Sequence, residues 1–176
     1  MTPDTARLFI GLELNDEARR ALSRVRCALD ESGVIGKFHR PEMYHLTLCF
    51  LGNTLVDSIP HIQRILNSVS AAPFDLTLAS LGTFKNGSIL WAGVRESAEL
   101  RSYQNQLAAA LTDAGFPLEE GEYHPHITLA RQVKTPFPDL PVPEIPFRID
   151  HATLFHSTRL LRCRTGKVPS YQFVRL

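Results

Sequence analysis

Two short segments of this chain each carry a histidine two residues before a threonine within an apolar run. The first contains His45 and Thr47, and the second, 81 residues later, contains His126 and Thr128. Short apolar runs of this kind are typical of β-strands, in which residues i and i+2 lie on the same face. Each segment therefore predicts an imidazole beside a hydroxyl, and two such strands facing one pocket would offer two proton-transfer groups and two hydrogen-bond donors.

The His-x-Thr spacing is weak evidence without its context, because His151 and Thr153 have the same spacing. The first two copies differ from this third copy in that each follows a strand and a helix, whereas His151 follows a proline-rich loop. We interpret His151 and His156 as surface or packing residues. The pair formed by His45 and His126 remains as the candidate catalytic pair.

The elements around the two candidate histidines repeat in the same order. A strand and a helix precede each histidine: a strand over 7–14 and a helix capped by Asn15 or Asp16 before His45, and a strand over 89–94 and a helix capped by Ser97 before His126. The intervals nearly match, with 36 residues from Phe9 to His45 and 35 from Trp91 to His126. The repeat predicts two similar lobes, each giving one histidine to a shared cleft.

The remaining segments predict a mixture of helices and antiparallel strands. They are a motif strand ending at Gly52, a helix from Ser58, a strand over 74–81, a hairpin turn over 85–88, an extended loop over 134–146 with five prolines, and closing strands over 147–155 and 168–174. This order favours an α+β fold: two pseudo-symmetric lobes, each an antiparallel-rich sheet with helices outside, forming a central cleft. We expect residues 1–176 to form a single two-lobed domain.

Composition excludes several functional classes. The formal net charge of +1 provides no overall attraction to nucleic acid, so any basic patch must be local. Three widely spaced cysteines fit reduced thiols better than a disulfide framework. The chain starts without a basic-then-apolar signal segment and has no apolar run of the roughly 20 residues that cross a bilayer. We therefore expect a cytoplasmic protein with no membrane partner.

His124 and His126 raise the alternative of a metal site, because residues two apart on a strand share a face. Zinc requires a third or fourth ligand at a recognisable spacing, and the sequence offers no such residue. Pro125 also separates the two histidines. The sequence therefore predicts no metal and no cofactor.

With their flanking residues, the two segments resemble the two-histidine phosphoesterase superfamily, and more narrowly the bacterial RNA 2′,3′-cyclic phosphodiesterases, also called 2′-5′ RNA ligases. The matching segments are Arg7–Ile10, His45–Leu48 followed by Phe50–Gly52, and His124–Leu129 with Arg131. The order of elements agrees over nearly the whole chain, although the region from Lys134 onward matches mainly in pattern. The resemblance implies two lobes related by an approximate twofold axis, with the active site between them.

The resemblance also implies a reaction. The substrate would be RNA with a 2′,3′-cyclic phosphate terminus, such as a tRNA half, opened without a metal to a 2′-phosphate. The reverse chemistry would join such an end to a 5′-hydroxyl, and the protein would act as a monomer. His45 would donate a proton to the leaving 3′-oxygen, and His126 would accept one from water. Thr47 and Thr128 would bind the non-bridging phosphate oxygens.

Three further residues are candidate substrate contacts. The resemblance favours a phosphate contact for Arg131, yet strict alternation from His126 puts it on the opposite face unless the strand ends or twists. Tyr123 and Phe9 would stack on a terminal base, or else pack within the protein. A basic loop from Arg159 to Lys167 would follow the RNA backbone or simply be solvated.

Two other functions remain open from the sequence. One is a related enzyme that acts on a small cyclic phosphate derived from a nucleotide or ADP-ribose. The other is a non-catalytic module that binds RNA ends with the same fold. The intact histidine and threonine in both segments favour an enzyme over the second alternative.

Overall fold

A curled antiparallel sheet with α-helices packed against it forms the computed structural model, which describes residues 4–119, 121–159 and 171–176. Within these residues the strands are β1 (Thr5–Glu13), β2 (Lys37–Phe38), β3 (His45–Leu55), β4 (Phe74–Phe84), β5 (Ile89–Val94), β6 (His126–Arg131), β7 (Pro146–Ile149), β8 (Thr153–Arg159) and β9 (Tyr171–Arg175). The α-helices are α1 (Asp16–Glu31), α2 (Ile59–Ser68) and α3 (Ala98–Asp113). Short 3-10 turns cover Pro41–Met43 and Val56–Ser58. The predicted α+β class is confirmed.

The sheet consists of two halves that meet at the motif strands. Its order is β7-β4-β5-β6-β3-β1-β8-β9, and β2 pairs with β6. Leu46 of β3 pairs with Ile127 of β6 at the junction between the halves. These are the residues directly after the two candidate histidines. On either side of the junction each motif strand pairs with the strand that precedes its helix, β3 with β1 and β6 with β5, as the predicted repeat requires.

Alternation along the central strands explains which face is buried. Leu8, Ile10 and Leu12 of β1 are fully buried, and so are Leu46 and Ile127. These side chains belong to one continuous apolar core with the inner faces of the helices. Because a one-residue shift would exchange the two faces of a strand, burial of this leucine-rich face determines the register. The histidines and threonines must then point to the opposite face of the sheet.

The helices begin where the sequence predicts. The Asn15 side chain accepts a hydrogen bond from the backbone N–H of Ala18 at 2.8 Å, and Ser97 accepts one from Leu100 at 3.1 Å. Gly115 has a positive φ of 86° just after α3, as expected for a residue that ends a helix. In the part of the chain that the structure describes, no helix combines the length and apolar character needed to cross a membrane.

The predicted strand over 147–155 is wrong. The structure divides it into β7, which pairs with β4, and β8, which pairs with β1. Both pieces are apolar, so the sequence resembles one continuous strand, but Asp150 and His151 are exposed between them. β7 extends one half of the sheet and β8 extends the other, so the two strands lie in different halves.

Other strand boundaries also differ. The first motif strand continues to Leu55 rather than ending at Gly52, because the positive φ of Gly52, 66°, accommodates an irregularity within the strand. The second closing strand begins at Tyr171 in the structure, and residues 168–170 lie outside the described residues. The basic loop predicted for RNA contact also lies outside them beyond Arg159.

We predict that Asn15→Ala lowers the free energy of unfolding by about 1 kcal/mol, because it leaves a helix-terminal N–H of α1 without its side-chain acceptor. Denaturant unfolding of both proteins measures this difference. Asn15→Ser is the matched control and should retain most of the stability, since serine also caps helices. Equal stability of the alanine variant and the original protein would contradict a contribution from the cap.

Candidate active site

The two candidate histidines and the two candidate threonines line a single pocket of about 220 Å³. It opens on the face of the sheet opposite the apolar core. The other lining residues are Arg7, Phe9, His39, Met43, Phe50, Arg131 and Ser157. The structure thus brings together His45, Thr47, His126 and Thr128, as the repeat predicts. Imidazole and hydroxyl groups thus line the pocket together with aromatic and cationic side chains.

Both histidines are held by the same local hydrogen bond. Nδ1 of His45 lies 2.7 Å from the carbonyl oxygen of Met43, and Nδ1 of His126 lies 2.7 Å from the carbonyl oxygen of His124. A carbonyl oxygen only accepts hydrogen bonds, so each Nδ1 must carry the proton. The neutral imidazoles therefore have their lone pairs on Nε2. Each lobe supplies a potential base in the same tautomer, as a two-histidine acid/base pair requires.

The electrostatic surroundings favour neutral imidazoles. Burial lowers the pKa of His45 from 6.5 to about 4, and the charges of His126 and Arg131 contribute further to that decrease. Burial also lowers the pKa of His126, with additional contributions from Arg131 and His124. Loss of hydration disfavours the charged form of each ring. A bound anion would have the opposite effect, because it stabilises an adjacent imidazolium.

Aromatic rings surround each histidine. The centroid of the Phe9 ring lies 4.7 Å from the centroid of the His45 ring. Phe9 also stacks on Phe155, with a centroid distance of 5.0 Å. In the other lobe, Phe84 meets His126 edge-on at 4.8 Å, and Trp91 lies 6.4 Å from His126. These contacts limit ring rotation and exclude water.

Gly82 makes room for the indole of Trp91 beside His126. A Cβ atom at position 82 would lie 2.2 Å from the ring atom Cη2 of Trp91. Any larger residue would therefore displace the indole, and with it one of the rings packed around His126. The close approach of the glycine backbone is what permits this packing.

A β-bulge turns Arg131 toward the pocket. Trp91 of β5 pairs with Thr128, whereas Leu90 pairs with Ala130, so β6 has an extra residue at this point. Leu129 and Ala130 are consequently both buried, and the next residue, Arg131, lines the pocket. Such a bulge breaks the two-residue period of a strand. The strict alternation considered in the sequence analysis therefore does not apply beyond Leu129.

The first motif strand has the same irregularity. Ile10 pairs with Cys49 and Gly11 with Thr47, so β3 also carries an extra residue. Leu48 and Cys49 are both buried, and Phe50 then lines the pocket. Phe50 thus follows His45 by five residues, as Arg131 follows His126. The two lobes share this backbone geometry, but one contributes an aromatic ring at the position and the other a guanidinium.

Phe9 and Tyr123 have packing roles in the structure. Only 3% of the surface of Phe9 is exposed, and its ring is packed against His45 and Phe155. Tyr123 is not among the residues that line the pocket. It lines a neighbouring groove, and its hydroxyl donates a hydrogen bond to the carbonyl oxygen of Thr47 at 3.1 Å. Burial raises the pKa of Tyr123, which keeps this donor protonated. These contacts favour positioning of His45 and Thr47 over base stacking, which stays a prediction.

Several lining residues had no assigned role in the sequence analysis. The guanidinium of Arg7 lies 5.0 Å from the centre of the Phe50 ring, at a distance suited to a cation–π contact. Both residues belong to the segments that carry the family resemblance, so the sequence could have identified them as candidate site residues. Met43, Ser157 and His39 had no such signal, because they come from a turn, a late strand and a loop.

The alternative of a metal site would require a cluster of ligands. Within residues 4–119, 121–159 and 171–176 no three or more His, Cys, Asp or Glu side chains are grouped so that they could hold an ion. His124 precedes β6. The centroid of its ring lies 5.8 Å from that of Phe84 and 6.0 Å from that of Trp91. Independence from metals stays a prediction for experiment.

The known proteins that this chain resembles in sequence belong to one family. The family model described as the 2′-5′ RNA ligase superfamily matches residues 14–160. A protein named RNA 2′,3′-cyclic phosphodiesterase from Geobacillus stearothermophilus is 33% identical over 175 residues, which cover 94% of this chain and 55% of the relative. A protein of the same name from Archaeoglobus fulgidus is 33% identical over 129 residues, which cover 71% of this chain and 72% of the relative.

Solved structures show the same fold. The crystal structure of Escherichia coli LigT in its apo form matches with a TM-score of 0.84 and 23% identity, and the match covers 98% of this chain and 95% of LigT. The structure of TT0787 from Thermus thermophilus matches with a TM-score of 0.80 and 24% identity, over 96% and 94% of the two chains. These similarities extend through both lobes.

We predict that nitrogen NMR at neutral pH will find protonated Nδ1 and unprotonated Nε2 in both His45 and His126. On acidification, His45 should take up its second proton only near pH 4, because burial lowers its pKa from 6.5 to about 4. Long-range proton–nitrogen spectra recorded over a pH series measure both properties. A protonated Nε2 at neutral pH, or titration of His45 near 6.5, would contradict this description of the pocket.

Proposed function

The chain belongs to the 2′-5′ RNA ligase superfamily, and from this premise we propose that it hydrolyses the 2′,3′-cyclic phosphate ends of RNA to 2′-phosphates. The observation that carries the proposal is the pair of histidines in one pocket, each with Nδ1 bound to a backbone carbonyl. The name of the relatives, RNA 2′,3′-cyclic phosphodiesterase, supports the same reaction.

The proposed reaction is an in-line displacement at phosphorus. His126 Nε2 accepts a proton from water as the water oxygen bonds to phosphorus. The bond from phosphorus to the 3′-oxygen breaks, and protonated His45 donates its Nε2 proton to that oxygen. The products are a 2′-phosphate and a free 3′-hydroxyl. The same displacement with a 5′-hydroxyl of RNA in place of water gives a 2′-5′ linkage and a free 3′-hydroxyl.

The low pKa of His45, about 4, bears on its role as proton donor. At neutral pH few free molecules carry the second proton on this ring. The anionic cyclic phosphate stabilises the imidazolium when it binds, so binding and protonation favour each other. Binding of the phosphate thereby supplies the protonated ring that donates to the leaving oxygen.

Thr47, Thr128 and Arg131 are proposed to bind the non-bridging phosphate oxygens. The two threonines share a face with the histidines and line the same pocket. Their hydroxyls donate hydrogen bonds where negative charge accumulates during displacement. Arg131 supplies a positive charge next to both rings and lowers the pKa of each. This charge would stabilise the bound phosphate and the transition state.

RNA is the proposed partner, and tRNA halves are one source of suitable ends. The small pocket continues into a groove of about 990 Å³ that shares Thr47, Phe50 and His126 with it, which supports a polynucleotide over a small cyclic phosphate. The protein is proposed to act as a cytoplasmic monomer.

Because the groove extends the pocket, lengthening the substrate from a mononucleotide to a short RNA should raise kcat/KM. No gain with length would favour the small-substrate enzyme.

We predict that a short RNA ending in a 2′,3′-cyclic phosphate is converted to the 2′-phosphate in excess chelator. Product analysis by phosphorus NMR identifies the position of the phosphate. A 3′-phosphate would contradict the proposed leaving group. Turnover that is lost with chelator and restored by a metal would contradict metal-independent catalysis. Tight RNA binding without turnover under either condition would instead support a non-catalytic binding module.

Variants of the two histidines provide the controls for this assay. His45→Ala and His126→Ala should each lower kcat by about 10² to 10⁴, the usual contribution of general acid or base catalysis. His151→Ala is the matched control, because its exposed side chain lies outside the pocket, and it should keep full activity. Full activity in either pocket variant would exclude the two-histidine mechanism.

We predict that kcat/KM is highest below pH 6.5 and falls about tenfold per pH unit on the alkaline side. In the reactive form of the free enzyme, one of the two histidines is an imidazolium and the other is neutral. Burial lowers the pKa of both rings below 6.5. Raising the pH therefore deprotonates the imidazolium. The pH at which kcat is highest should exceed the pH at which kcat/KM is highest, because the bound anion raises the pKa of both histidines. Initial rates over a pH series test this, and a kcat/KM that keeps increasing to pH 8 would contradict it.

A further inference from the structure

His39 is a third imidazole in the catalytic pocket. It lies in the loop between β2 and the Pro41–Met43 turn and lines the pocket with His45 and Arg131. Burial is the largest cause of a decrease in the pKa of His39 to about 4, and the charges of Arg131 and His45 lower it further. His39 is therefore neutral at physiological pH. Neither the acid nor the base role of the proposed mechanism uses it.

The backbone of His39 is anchored to the bulge in β6. Phe38 pairs with Ala130, and the N–H of His39 donates to the carbonyl oxygen of Leu129 at 2.7 Å. The residues at this bulge also direct Arg131 into the pocket. One backbone irregularity thus fixes the positions of both a guanidinium and an imidazole, which is a feature expected of a binding site rather than of a loose loop.

The hydrogen bonds of His39 differ from those of the catalytic pair. Its Nδ1 is buried and has no hydrogen-bond partner within the described part of the chain. Buried N–H groups without an acceptor are rarer than buried acceptors without a donor. The proton of the neutral ring is therefore expected on Nε2. His45 and His126 have the reverse arrangement, with protons on Nδ1.

We propose that His39 is a substrate-binding residue that donates a hydrogen bond from Nε2–H to a non-bridging oxygen of the phosphate, next to Arg131. This inference rests on the proposed function for the identity of the substrate, but binding of a phosphate group by His39 can be tested without turnover. His39 takes no part in proton transfer. Its role is to hold the phosphate while His126 accepts a proton from water and His45 donates one to the leaving 3′-oxygen.

A neutral donor suits this position better than a cation. Arg131 already lowers the pKa of His45, and so a second positive charge would make the protonated form of the acid still rarer. An imidazole that binds through Nε2–H without ionising adds a hydrogen bond to the phosphate and leaves that balance unchanged. The pocket thus gains affinity for the anion at no cost to its proton donor.

The first test compares two variants of His39 by titration with inorganic phosphate. His39→Leu removes the donor, and His39→Gln retains an N–H donor that does not ionise. A hydrogen bond to a charged acceptor corresponds to roughly ten- to a hundredfold in affinity, so the leucine variant should bind phosphate more weakly by that factor. The glutamine variant should recover most of the loss. His151→Leu, on the exposed surface, is the matched control and should bind like the original protein.

The same variants separate this proposal from a purely structural role. His39→Leu should not lower the unfolding temperature, because it replaces a ring whose buried Nδ1 has no partner with an apolar side chain. With cyclic phosphate RNA, its kcat/KM should fall by the factor seen for phosphate binding, without the change in pH profile that loss of an acid or base produces. Phosphate affinity and kcat/KM equal to those of the original protein would overturn the role of His39.

Nitrogen NMR on the unmodified protein keeps the test independent of how the variants fold. His39 should have a protonated Nε2 and an unprotonated Nδ1, and the Nε2–H signal should shift when inorganic phosphate is added. A proton on Nδ1, or no shift with saturating phosphate, would overturn the proposal. If phosphate binds in this way but cyclic phosphate RNA is not hydrolysed, the proposed function fails and the anion contact of His39 stands.

Discussion

Burial of Leu46 and Ile127, which pair at the junction of the two halves of the sheet, determines where the candidate catalytic groups point. Both side chains are fully buried in the continuous core. Each leucine-sized side chain contributes about 1.5–3 kcal/mol when it leaves water, so turning either strand over would cost both that burial and the burial of the neighbouring apolar residues. His45 and His126 each precede one of these residues, and therefore lie on the opposite face. The location of the candidate active site is in this sense a consequence of core packing.

Within that frame, backbone groups set the chemistry of the imidazoles. The carbonyls of Met43 and His124 hold Nδ1 of the two histidines in the protonated state, which reserves Nε2 of each for proton transfer. Packed rings such as Phe9 and Phe84 remove water, and the loss of hydration lowers the pKa of both histidines. The two lobes thus supply nearly equivalent rings. In the proposed mechanism, the assignment of proton donor and acceptor would then depend on how the substrate lies between the two rings and on the groups that differ between the lobes.

The bulges after the two motifs are the main source of that difference. In each motif strand an extra residue follows the threonine, so that the side chain five residues after the histidine returns to the pocket. One lobe presents Phe50 under the guanidinium of Arg7, and the other presents Arg131 beside His39. The same backbone geometry therefore gives an aromatic wall on one side and, on the other, a cationic wall that we propose binds the phosphate. A nearly symmetric pair of histidines thus lies in a pocket whose two sides differ.

The sequence by itself determined the local parts of this protein. Residue period, helix caps and the turn over 85–88 predicted most strands and helices, because these depend on side chains a few residues apart. The duplicated His-x-Thr spacing predicted the catalytic pair and the two-lobed α+β fold. The tertiary structure alone decided the division of 147–155 between two lobes, the bulge that brings in Arg131, the packing of Phe9 against His45 and the position of His39 beside both. These features depend on which strands pair across the sheet, and such long-range pairing leaves no periodic signal in the segments that take part in it.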